Sequence, residues 1–188
     1  MNPLHPLKTW RRNAANAAKL YGAIVAQARL PVFYQDLAVP DTLEGRFLVL
    51  SLHLFAVLHR LKAEGGAAVG LAQDLTDRFS EDMETVHREI GVGDLAIPKK
   101  VRRLASASAG LLQAYGEALG EGEEALTAAI AKAFPVQGAA PEAATRRLAH
   151  YLTLMVRALE AQSLAALSTG EVRFPEMTPS DKLGDDLA

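Results

Sequence analysis

Cysteine is absent from the 188-residue chain, which excludes a disulfide framework, a thiolate nucleophile and any cysteine-ligated zinc or iron–sulfur centre. Aromatic residues are only 6% of the whole, so the 49% hydrophobic content rests mainly on alanine and leucine, which favour helix. No segment alternates apolar and polar residues as a half-buried strand would, and no internal repeat is present. The first 35 residues contain no acid. They also lack an apolar core followed by a small-residue cleavage site, so no secretory signal is expected. The most hydrophobic stretch, residues 43–62, is interrupted by Ser51, His53, His59 and Arg60. A membrane span needs about 20 predominantly apolar residues, and this stretch falls short.

These absences leave an all-α protein, read as a single-domain bundle of about six helices around an apolar central helix, and long enough to bury an ordinary core. A basic N-terminal arm is expected over residues 1–13, a helical domain over 14–170 and a loosely held tail over 171–188. The tail expectation rests on two prolines, several acids and no periodicity. Lys8, Arg11, Arg12, Lys19 and Arg29 give residues 1–35 a charge of +5, which leaves −7 on the remainder of a chain whose net charge is −2. A basic arm on an acidic body can approach RNA, anionic lipid or an acidic partner. Charge alone does not choose among them.

Leu20, Tyr21, Ile24, Val25 and Ala28 mark a first amphipathic helix over about 14–28, which Pro31 ends. Asp41 or Thr42 offers an N-cap for the second, about Leu43 to Lys62, apolar nearly all round and therefore the central one. Leu71, Leu75, Phe79, Met83, Val86 and Ile90 define a third, with Gly91 and Gly93 ending it. A fourth starts near Pro98 and runs to about Leu119, a shorter one spans about Glu123 to Ala133, and a last begins at Pro141 and ends near Thr169-Gly170.

Asp74, Asp77, Glu81 and Glu84 fall at helical spacing, and Glu84 with His87 matches one Glu-x-x-His element of a carboxylate-bridged di-iron bundle. Such a site needs a second element, but Leu50, Ala56 and Arg147 stand three residues before His53, His59 and His150. The acids read instead as a solvated or partner-facing surface, and neither a metal nor another cofactor is expected. His53, in the most apolar helix, reads as a buried neutral structural residue. Nothing around Ser51, Ser106 or Ser108 forms a nucleophile elbow or triad. Gly91-Val-Gly93 follows a helix and matches neither dinucleotide nor Walker loop, so it reads as a tight helix–helix turn. Lys99, Lys100, Arg102 and Arg103 then crowd positive charge onto a helix start, against the macrodipole. Asp82, Glu84 or Glu89 on the preceding helix can offset part of this charge, and the rest is left for an external acidic surface.

Leu20-Tyr21, Ile24-Val25, Gln27-Ala28-Arg29, Phe33-Tyr34, Val39-Pro40-Asp41-Thr42, Gly45-Arg46-Phe47, Asp82-Met83, Arg88-Glu89, Gly91-Val-Gly93-Asp94 and Pro98-Lys99 occur in an order that resembles the ubiquinol-cytochrome c chaperone family over about residues 14–160. Ser80, Glu84 and His87 stand where the family more often has phenylalanine, aspartate and leucine, which makes that surface more polar. The resemblance implies a non-enzymatic helical chaperone that binds newly made cytochrome b and assists biogenesis of respiratory complex III. It also implies a small partner chaperone and ribosome contact, as in mitochondrial relatives, and the chain looks like a compact bacterial member without transit peptide or anchor. Arg29, Arg46, Lys99, Lys100, Arg102 and Arg103 are the expected partner-binding residues, in a cytoplasmic protein or one peripheral at the inner membrane, with no DNA partner. A lipid-binding peripheral protein and a carboxylate-metal enzyme stand as alternatives, and a dimer through the first or last helix is left open.

Overall fold

Helix α3 (Leu43–Glu64) begins at Thr42, whose Oγ1 accepts the Gly45 amide at 3.1 Å, satisfying one of the amides that a helix start leaves without a partner. Gly45 is required there, because a Cβ at this position would collide with the Pro40 carbonyl oxygen. Beyond this first turn, Leu48 to Val57 are all buried, as expected for a helix apolar nearly all round. Around α3 in this computed structural model pack α1 (His5–Ala28), α4 (Val69–Glu89), α5 (Ile97–Glu121) and α7 (Pro141–Glu160). α6 (Glu123–Ala133) bridges α5 and α7, and short α2 (Val32–Gln35) and α8 (Leu164–Ser168) fill the ends. The structure describes the backbone at residues 5–89, 97–136 and 141–177, with side chains at 14–66, 68–86, 88–89, 102, 106–136 and 141–177. Among these residues every regular element is helical, apart from a single 3-10 turn at Gly66–Ala68.

Ring contacts fix the directions of the central helices. α4 follows α3 after the short turn at Gly65, where φ is 64°, and Phe47 meets Phe79 at 6.1 Å between centroids, so the two run antiparallel. Tyr115 meets Phe55 edge-on at 5.6 Å. α5 reverses α4, so it runs parallel to α3.

A buried hydrogen-bond relay ties α1, α3 and α7 together. Gln27 Nε2 donates to the Tyr151 hydroxyl at 3.0 Å, and that hydroxyl stands 3.2 Å from His53 Nε2. His53 Nδ1 lies 2.8 Å from the Val49 carbonyl oxygen, which can only accept. The proton is therefore on Nδ1, and Nε2 accepts from Tyr151. Burial disfavours the imidazolium and pushes the His53 pKa down to about 4, so His53 is neutral, in the structural role expected of it.

Three local differences from the sequence reading have physical causes. The first helix extends back to His5 rather than starting near Ala14, because Pro6 falls in its first turn, where proline is tolerated, and no glycine or proline follows before Ala14. The last helix is not continuous to Thr169: α7 stops at Glu160, and Ser163 restarts the chain as α8 by accepting the Ala166 amide at 3.2 Å. Residues 171–177, expected to be loose, run over the core. Gln162 accepts the Arg173 amide at 2.9 Å and donates to its carbonyl at 2.8 Å, and Phe174 sets its ring 5.4 Å from His53. Gly170, at φ 77°, allows this path, since a Cβ would meet Lys19 at 2.8 Å.

Candidate functional site: an apolar groove with a charged rim

Two rows of small side chains set the site. On α5, Ala107, Gly110, Leu111, Ala114 and Ala118 recur at helical spacing on one face, and on α6 Ala125, Ala128, Ala129 and Ala133 do the same. The opposite wall is built from Val25 and Ala28 at the end of α1, Leu43 and Phe47 at the start of α3, and Met83 and Val86 late in α4. Between them lies a groove of about 1250 Å³. Alanine and glycine leave room that larger side chains would fill, so the groove is a direct product of the sequence. Leu43 is 50% exposed at its edge.

The rim carries charge of both signs. Arg29 and Arg46 stand at one end beside Tyr34, whose hydroxyl donates to the Ala28 carbonyl at 2.8 Å and joins the end of α1 to α2. Arg46 also grips Asp41 with Nε at 2.6 Å and Nη2 at 3.2 Å, and this bidentate pairing holds the Asp41 carboxyl below the usual carboxylate range. Asp82 accepts from the Tyr21 hydroxyl at 2.8 Å, and burial first, then this carboxylate, pushes the Tyr21 pKa far upward. Glu117 and Glu121 continue the α5 row beyond the apolar floor. Gln113 donates to Glu117 Oε1 at 2.8 Å.

Of the residues expected to bind a partner, Arg29 and Arg46 come together at the groove. Arg102 is exposed and does not line it. The side chains of Lys99, Lys100 and Arg103, and the Gly91-Val-Gly93 loop, lie outside the described residues. So does the His87 side chain, and among the described residues no group of three or more His, Asp or Glu side chains is placed to hold a metal. Among them, too, no helix is long and apolar enough to cross a membrane. The groove itself went unread in the sequence, because alanine and glycine at helical spacing on α5 and α6 read the same whether they face solvent, a neighbour or a groove.

A family model for ubiquinol-cytochrome c chaperones matches residues 35–174, a span that contains both small-residue rows and Arg46. The chain belongs to the ubiquinol-cytochrome c chaperone family. A solved structure described as that of the Cbp3 homolog from Brucella abortus shares 35% identity and superposes with a TM-score of 0.82, covering 94% of this chain and 98% of that one. Ubiquinol-cytochrome-c reductase complex assembly factor 1 of Xenopus laevis is 27% identical over 127 residues, 66% of this chain and 63% of the relative. The Mus musculus protein of the same description is 26% identical over 172 residues, 90% of this chain and 58% of its own length. The chain thus spans about three fifths of these two relatives.

Proposed function

We propose that this protein is an assembly factor for ubiquinol-cytochrome c reductase that holds newly made cytochrome b in the groove until the subunit joins the complex. The observation that carries this reading is the groove: an accessible apolar floor of about 1250 Å³ on a chain without a membrane-spanning helix among its described residues. A concave site of this volume, lined mainly by apolar side chains with a few polar groups at its rim, has the character of a binding site. A membrane subunit waiting for assembly offers apolar helices that need cover from water. The family membership supplies the complex. On this reading the protein works by binding, without catalysis, at the cytoplasmic face of the inner membrane. Arg29 and Arg46 guide the client into the groove, and Lys99, Lys100, Arg102 and Arg103 contribute to recognising the client, a small partner chaperone, the ribosome or the membrane surface.

Crosslinking followed by pulldown from native membranes and cytosol tests the reading. Cytochrome b is expected among the captured proteins, and charge reversal at Lys99, Lys100, Arg102 and Arg103 is expected to reduce its yield. Capture that contains no component of ubiquinol-cytochrome c reductase contradicts the assignment.

A further inference from the structure

The groove has a direction. Phe47 and Tyr115 place Ala107 level with the start of α3, because Phe47 precedes Phe55 by as many residues as Ala107 precedes Tyr115, and the Phe55–Tyr115 contact fixes the register. Arg29 and Arg46 therefore stand at the Ala107 end. Glu121 lies fourteen residues further along α5, roughly 21 Å away at 1.5 Å per residue. α6 turns back after Gly122, so its Lys132, also on the rim, is carried back toward the arginine end. One end of the groove is thus held by acids alone and the other carries the cations. At the cationic end Glu44 and Asp82 are also on the rim and Asp41 pairs with Arg46, so that end is mixed in charge while the Glu117–Glu121 end is acidic only. Glu117 keeps one carboxylate oxygen beyond its bond from Gln113.

The floor and the rim point to the same occupant. Rows of alanine and glycine at helical spacing are how helices approach closely in apolar surroundings, where small residues let the backbones come near. The length, roughly 21 Å, accommodates about four turns of helix. We infer that the groove takes one apolar helix in a single orientation, with its basic-flanked end at Glu117 and Glu121 and its acidic or uncharged end at Arg29. Membrane-type helices commonly carry lysine or arginine on one flank, so the acids would read which way the client lies. This inference rests on the client-holding reading and adds the class of segment held and its direction.

Orientation is measurable with a synthetic apolar helix of about four turns, carrying a lysine pair at one end, a glutamate pair at the other and a photoreactive residue near either end. The peptide is crosslinked to the full-length protein in dilute detergent, and the attachment sites are mapped by mass spectrometry. Crosslinks from the lysine end are expected on residues 114–125, and those from the glutamate end on residues 25–47. Preference over the reverse assignment should be about tenfold, as expected of two partly exposed charge pairs. Exchanging the flanks on the same apolar sequence should turn the peptide round. Glu117→Lys with Glu121→Lys, both exposed changes, should abolish the preference while the helical circular dichroism spectrum stays unchanged. Crosslinks distributed equally from both ends, or an orientation that ignores the exchange of flanks, overturn the directional inference. In that case the pulldown of cytochrome b judges the client-holding reading separately.

Discussion

The two sides of α3 are built by different rules. Toward α1 and α7 the packing is closed: Leu20, Ile24, Leu52, Leu148 and Leu152 are fully buried, and the polar atoms among them are satisfied by the relay through Gln27, Tyr151, His53 and Val49. Phe33 and Phe174 cover the imidazole edge-on at 5.2 and 5.4 Å. Toward α5 the packing is open. Small side chains leave the groove, and the buried hydroxyls of Ser51, Ser108 and Tyr115 make no hydrogen bond among the described residues. A buried polar group without a partner costs stability that a satisfied one does not. The lesson is that closed, satisfied packing lies on one side of α3 and the open groove on the other, so the same substitution should behave differently on the two sides.

The largest effect should come from the closed side. Leu52→Ala, at a position with no exposure, is expected to cost about 2–5 kcal/mol through lost burial and a residual cavity. Denaturant unfolding measures it, and a cost below 1 kcal/mol would erase the contrast. A similar loss should appear on acidification. His53 is held neutral when folded, with a pKa near 4 against an ordinary value near 6.5. Between these values the unfolded chain takes up a proton that the folded chain refuses. Stability is therefore full above pH 6.5 and falls by up to about 3 kcal/mol as the pH drops toward 4. His53→Gln should flatten that slope in unfolding free energy measured against pH.

A matched pair sharpens the comparison further. Tyr151→Phe removes the hydroxyl that joins Gln27 to His53, and should cost about 1–3 kcal/mol because the buried His53 Nε2 is left without its donor. Tyr115→Phe removes a hydroxyl that burial alone pushes toward the neutral form and that bonds to no described residue. It should be neutral or slightly stabilising, and equal costs for the two variants would show that the sides do not differ. The smallest effect belongs to the rim: Asp41→Asn frees Arg46 from an exposed pairing and should leave the melting temperature unchanged.

The closed side was the legible one. Apolar periodicity located the six long helices and the central position of α3, because burial at fixed spacing is what periodicity encodes, and capping preference narrowed the start of α3 to Asp41 or Thr42, of which Thr42 is the cap. His53 was read as structural from its apolar setting alone. The open side was harder. Ala107, Gly110 and Ala114 score as helix formers or neutral spacers whether they face solvent, a neighbour or a groove, so volume left unfilled has no sequence signature of its own. Arg29 and Arg46 were singled out by charge and resemblance, but that they meet at one groove end depends on α1 and α3 converging through α2, a contact between residues distant in sequence. The break at Ser163 was missed because one capping hydroxyl decides it.

Ala114→Trp tests the central claim most directly. Ala114 is exposed and lines the groove floor, so tryptophan there fills the groove without entering the closed core. Co-purification of cytochrome b should be lost from this variant while its thermal unfolding matches that of the unaltered protein. Undiminished recovery of cytochrome b with the groove filled would contradict the account and move the client to another surface.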